Sequence, residues 1–419
     1  MDSRISLQQP VLDGGIRSIN FFNGRLLSAN DLTREQSAAR EADRRLGQAV
    51  GDGIAYGLEV SKTIGTSNDS PGVTVAAGLA INRRGQTLML AAETDVALVR
   101  SNESNGSANN FSDCLPLQTG AYVAGAGAYL LTLAPVQSTE GRAITSGLNQ
   151  TGSCNTDTIV TAVQFRLIQI DPPITDAELQ DQGHLRNLIA YKCFGWDETN
   201  AFIRDPFGTD LNKWGLLDSL RPNQLTDCEV PLAVLYWTQN DGIKFVDVWS
   251  VRRRITAPIC GSWPSLIDDR RTAEAEAMFR QFQAHVDELR FNTNNPDQTR
   301  LVDQFRYLPA AGFVPLAQDG FTAGFHPDLF FDTLTLHTDV FVEGARVEQL
   351  LRASFNYPPV DLQAPDGPVM LWVYKVRENR QPKPGQAVVQ PYFIFSSGHM
   401  PYLADPHFDV NRWEYSNYP

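Results

Sequence analysis

The sequence predicts an α+β, β-rich protein of several domains, built from antiparallel sheets and two longer helices. Three observations carry that expectation. Short apolar or alternating runs bounded by glycine recur along most of the chain, as in strands joined by tight turns. The run VPLAVLYWTQNDGIKFVDVW joins two apolar arms through Asp241-Gly242, whose glycine accepts the positive φ of a hairpin turn. Helical periodicity persists in two long stretches, one near the N-terminus and one around 264–290.

At roughly 100–200 residues per domain, 419 residues make two to four domains. Changes in composition place a helix and small β module at 1–100 and a β-rich domain at 101–262. A helical connector follows at 263–295, then a second β-rich domain at 296–419. The first helix is expected over Asp31–Val50, capped by Ser28 or Asn30 and stopped by Gly51 and Gly53. Its apolar face is thin: Leu32, Ala39, Leu46 and Val50, flanked by Ala38, Ala42 and Ala49. Such a stripe permits close helix approach but buries little surface, so it requires a neighbour. Strands are expected at Val73–Ala76, Leu79–Asn82, Thr87–Ala91, Tyr129–Ala134 and Thr158–Ile170. In the last, Ile159, Val163, Phe165 and Leu167 share a face. Thr175 and Glu178 form a capping box for a helix reaching Tyr191. Val230–Trp237 is apolar on both faces and so belongs inside a sheet, with Ile243–Val251 as its hairpin partner.

The second long helix is expected over Pro264–Arg290, with proline in its first turn and Asp268 and Asp269 at its positive end. Ala275, Phe279, Phe282, Val286 and Leu289 follow a 4-3-4-3 spacing. This seam suits packing on the helix's own domain or self-association, a trimer being the favoured oligomer. After a linker at Asn292–Asp297, Leu334, Leu336, Val340 and Val342 alternate in one strand. Val369–Val376 and Tyr392–Ser396 supply two more. The tail carries Tyr402, Phe408, Trp413, Tyr415 and Tyr418, and is expected to dock on its own domain or on a partner.

Composition narrows the function. A net charge of −13, from 35 basic and 48 acidic residues, opposes nucleic acid and anionic lipid as partners. No window approaches 18 consecutive apolar residues, and MDSRISLQQPVLDGG lacks a signal-peptide core. Cytoplasmic synthesis without membrane insertion is the expectation. Cys114, Cys154, Cys193, Cys228 and Cys260 show no CxxC spacing, so reduced thiols are expected, with a Cys114–Cys154 bridge as the alternative.

The chain has no GxSxG, HExxH, P-loop or dinucleotide motif, so no catalytic residue and no cofactor is expected. His399 and His407 with Asp405 and Asp409 form the best metal candidate, and His326 with Asp328 and Asp332 a second. The first lacks a third nearby histidine, the second is no stronger, and no metal is expected. His285 falls on the charged side of its helix, and Arg252–Arg254 reads as a solvated strand end. Trp372, Tyr374, Tyr392, Phe393 and Trp413 would form a sugar- or receptor-binding platform if exposed. A hydrolase or cargo effector working through His399 and His407 is a third class.

The segments FFNGRLLSANDLTREQ, GIAYGLEV and VTVAAGLAINRRGQTLML together resemble a family found with phage-tail-like contractile injection systems. The matching positions are Phe22, Gly24, Leu26, Leu27, Asp31, Leu32, Gly53, Gly57, Leu58, Glu59, Val60, Val73, Val75, Gly78, Leu79, Ala80 and Gly85. Cys228–Ile255 and Phe305–Leu316 look like later blocks of the same proteins. The resemblance implies a non-enzymatic structural component near the baseplate or spike, or in an accessory shell or fibre. Its partners would be itself and the baseplate, spike or fibre proteins. The candidate docking segment comprises Phe21, Phe22, Gly24, Leu27 and Leu32. In it, Phe21 and Phe22 are expected to pin the Asn23-Gly24 turn to the β module, while another subunit completes the helix face.

Overall fold

The computed structural model describes residues 11–63, 71–98, 127–144, 154–170, 182–198, 215–221, 223–238, 242–255, 269–292, 296–317, 323–332, 334–363, 370–380 and 389–398, with single positions 201 and 205. The protein is α+β and β-rich, with several antiparallel sheets.

Helix α1 spans Ala29–Val50, and Ser28 is its cap. Six short strands follow: β1 (Gly53–Gly57), β2 (Val60–Lys62), β3 (Gly72–Val75), β4 (Gly78–Ile81), β5 (Thr87–Leu90) and β6 (Thr94–Ala97). They form two antiparallel sheets, ordered β1-β4-β5 and β2-β3-β6. Glycine permits their close approach. A Cβ on Gly57 would sit 1.9 Å from the Ala77 carbonyl oxygen, and one on Gly78 2.4 Å from that of Tyr56. Leu58, fully buried, holds a left-handed φ of 60°, a conformation that branched side chains avoid unless their surroundings impose it.

The central sheet is antiparallel, ordered β10-β9-β7-β8, from β7 (Gly127–Ile144), β8 (Cys154–Ile170), β9 (Val230–Thr238) and β10 (Gly242–Asp247). Between β8 and β9 lie α2 (Gln182–Cys193) and α3 (Gly215–Ser219). Strand β9 is internal, as its two apolar faces require. One face of the sheet, through Tyr129, Leu131, Leu133, Leu232 and Leu235, shares a core with Ile54, Leu58, Val73, Val75 and Leu88. That core draws on both sides of the division expected at 100/101. The other face, through Ala128, Leu130, Ile168, Val234 and Phe245, packs on Leu185 and Ile189 of α2 and on Leu216.

Helix α4 (Asp269–Asn292) leads into the C-terminal half. There follow β11 (Tyr307–Leu308), β12 (Ala311–Pro315), α5 (Pro327–Phe330), β13 (Thr335–Val342), α6 (Val347–Ser354), β14 (Val360–Asp361), β15 (Met370–Val376), α7 (Arg377–Arg380) and β16 (Tyr392–Ser396). The sheet order is β12-β16-β15-β13, with β13 parallel to β15. Strand alternation then builds two cores. Leu371, Val373, Phe393 and Phe395 meet α4, while Tyr374, Val376 and Ile394 meet Leu350 of α6. The bulge between His337 and Val340 divides β13, so Leu334 and Leu336 serve the first core and Val340 and Val342 the second.

Candidate functional site

The N-terminal arm is assembled by polar contacts. The Ser28 hydroxyl accepts from the Asp31 amide at 3.2 Å, and the Asp31 carboxylate accepts from the Ser28 amide at 3.0 Å, closing a capping box. Arg25 reaches the same carboxylate at 2.8 Å. The Ser28 hydroxyl and amide, then Arg25, hold the Asp31 carboxyl down to about 2. The strap before the helix runs back along it. Arg25 pairs with Asp31, the Ile19 amide donates to Glu35 at 2.8 Å, and Arg45 donates to the Gly14 carbonyl at 2.5 Å. At its far end α1 meets the Asn82–Gln86 turn, where a Cβ on Gly47 would lie 2.1 Å from the Gly85 oxygen.

Little apolar surface is covered in this arm. Ala38 and Gly47 are the buried positions of α1, and Ile19 that of the strap. Phe21 is 54% exposed and Phe22 62%, so they do not pin the turn to the β module, contrary to expectation. The Asn23-Gly24 turn forms, with Gly24 at φ 91°, and the Arg25 guanidinium lies 5.9 Å over the exposed Phe22 ring. Leu26, Leu27, Leu32, Leu46 and Val50 are also exposed. Leu32, Ala39, Leu46 and Val50, spaced seven, seven and four, form one open stripe.

The α4 seam is different: the chain itself covers it. The Phe282 ring lies 5.1 Å from Phe305 and 5.3 Å from Phe395, and Val286 joins the same core. Phe279 stacks against Phe313 and Phe355, Leu289 packs on the core, and Ala275 sits beside Trp196 and Met278. The spacing marks a helix stripe, but the phenylalanines of the C-terminal sheet fill it. The trimer expected through this seam loses its basis.

The opposite side of α4 carries a buried polar network that the sequence did not reveal. Asp247, at the end of β10, accepts from Arg186 Nε at 3.0 Å, Gln281 Nε2 at 3.1 Å and the Ser250 amide at 3.0 Å. Gln281 also accepts from Asn187 and Tyr307, each at 3.3 Å, and Arg186 pairs with Glu288. A second group lies on the central sheet, where one Arg166 nitrogen donates to both Glu229 oxygens at 2.8 Å. Both groups are buried and read as structural joints. The signals were lone charges in apolar runs: Arg166 within VQFRLIQI and Glu229 before VPLAVLYW.

His285 is not solvated. It is 94% buried against Phe305, at 4.6 Å, and its Nδ1 has no partner. Burial first, then Arg186 and His184, hold its pKa well below 6.5. The unfolded chain therefore takes up this proton first, and acid favours unfolding. Melting temperature should fall between about pH 7 and pH 5, and a His285→Leu variant should lose that part of the slope in thermal melts.

The arginine triplet is also not a free strand end. Arg252 donates to the Gly57 carbonyl at 2.7 Å, Arg253 lies 4.8 Å over Phe194, and Arg254 pairs with Glu276 at 2.7 Å. It ties the GLEV turn, the α2 end and α4 to one corner. Cys228 is disulfide-bonded, correcting the expectation of reduced thiols, whereas Cys193 is free and buried, its thiol pushed up to about 12 by burial. The aromatic platform does not assemble: Tyr374 and Phe393 are core residues, and Trp372 and Tyr392 pack beside Tyr374. Trp413, His399, His407 and the rest of the tail lie outside the described residues. His326 caps α5 without a side-chain bond, and among the described residues no group of three or more His, Cys, Asp or Glu could hold a metal.

The positions that carried the resemblance are thus largely architectural. Gly57 and Gly78 allow strand contact, Gly85 seats α1, Gly53 sits against Arg254, and Val60, Val73, Val75 and Ala80 fill the first core. No family model and no curated protein matches the chain.

Proposed function

We propose that this chain is a non-enzymatic structural subunit of a phage-tail-like contractile injection particle, joined to its neighbours through the N-terminal arm. Its place is the baseplate or spike-proximal region, or an accessory shell or fibre. The observation that carries this is the open arm. Ten of its leucine, phenylalanine, valine and isoleucine residues are exposed within residues 11–50, where soluble monomers usually show such side chains singly. The helix buries two small residues of its own, so it needs an outside surface to complete its packing. The resemblance of this same segment to contractile-particle proteins supplies the particle.

A Leu32→Ser, Leu46→Ser double variant tests both parts when it is co-expressed with the sheath, tube and baseplate proteins of a contractile particle. Its melting temperature should match the parent, because both side chains already face water. Its recovery in sedimented particles should drop at least about tenfold, the loss expected for a central apolar anchor. Equal recovery would remove the arm as the docking surface. Failure of the parent chain to enter particles would remove the particle itself.

A further inference from the structure

Strands β7 and β8 continue well past their sheet. Strand β9 follows β7 only to Leu133, whereas β7 and β8 stay paired in one register from Ala134↔Gln164 to Ile144↔Cys154. At about 3.3 Å per residue, the excess is a two-stranded ribbon roughly 35 Å long. Residues 138–142 on one strand, and Asp157, Thr158, Ile159, Thr161 and Ala162 on the other, are exposed. An isolated two-stranded ribbon is marginal in water, so a long one with no third strand among the described residues calls for completion.

Beyond Leu133 both strands of the ribbon have an open edge, but that of β7 carries Pro135, Glu140 and Arg142, whereas that of β8 is bare of such guards. Edge strands that must stay single carry lysine, proline or a bulge. The stretch Asp157–Val163 has none of these and one charge, Asp157. We propose that this edge pairs with the same edge of a second copy, antiparallel about a two-fold axis at Val160. In that register Ile159 faces Thr161 of the second copy, Thr158 faces Ala162, and Asp157 faces Val163. The two Asp157 carboxylates lie six positions apart, roughly 20 Å, so no like charges oppose. The ribbon's reach keeps two bodies of charge −13 apart, and a self-complementary strand needs no second sequence. The pairing is independent of the N-terminal arm.

The full-length protein tests it. Mild oxidation of a Val160→Cys variant should give a covalent dimer, and a Thr139→Cys variant on the opposite, β7 edge of the ribbon should give none. Sedimentation of the parent should show a monomer–dimer equilibrium. An Ile159→Lys, Thr161→Lys variant, changed only at exposed positions, should weaken it at least about tenfold with an unchanged melting temperature. Three results would overturn the proposal: equal cross-linking at 139 and 160, a dimer indifferent to the lysines, or a monomer that pairs only when another particle protein is added.

Discussion

Glu229→Ala is expected to lower unfolding free energy by about 3–5 kcal/mol, read from denaturant melts. Glu229 is 1% exposed and its carboxylate is a hub. It accepts twice from Arg166 at 2.8 Å, from Thr132 Oγ1 at 3.1 Å, and from the Thr226 amide and hydroxyl at 2.9 Å. Removing it leaves an arginine side chain 7% exposed, with the Gln224 carbonyl, at 3.0 Å, as its remaining acceptor among the described residues. A buried charge without its counter-ion is costly, because the low dielectric that strengthened the pair now penalises the survivor. Replacing both partners, Arg166→Met with Glu229→Leu, should recover most of the loss. A single-variant loss under about 1 kcal/mol would mean the pair behaves like a hydrated surface bridge.

Phe282→Ala should cost about 3–5 kcal/mol and leave the mass in solution unchanged. The side chain is fully buried between Phe305 and Phe395, and the tight approach of Gly312 shows no room for collapse: a Cβ there would lie 2.7 Å from the Phe282 ring. Truncation therefore opens a cavity that rigid aromatic neighbours cannot refill. The pair of readouts separates two roles for one spacing. A subunit seam would show a lower mass with stability largely kept, and that result would return α4 to the outside.

Much of the strand pattern was legible because it rested on local signals. Val230–Thr238, the hairpin across Gly242, and Tyr392–Ser396 each carry their own apolar run or turn glycine. Strands β1, β2 and β6 escaped notice because they have three to five residues and are defined by their pairing with β4 and β3. Strand β7 outran its expected end at Ala134 because Pro135 and a Ser-Thr-Glu-Gly run hide it, and its pairing with β8 decides the matter. The candidate docking segment was legible as composition and not as packing. Two adjacent phenylalanines look like a core plug, and only the fold shows that nothing in the described chain receives them. The α4 seam shows the reverse error. A 4-3-4-3 spacing names the sticky side of a helix, not its owner.

The placement of α4 has a consequence for how the protein is made. Phe282 meets Phe395, 113 residues further along, so a ribosome delivers the helix long before the strand that shelters it. At about 5–20 residues per second, that interval lasts roughly 6–23 seconds. Throughout it, a row of aromatic rings stands uncovered on the nascent polypeptide. Production in cells should accordingly depend on holdase chaperones, and slow translation of codons 283–395 should lower the soluble yield.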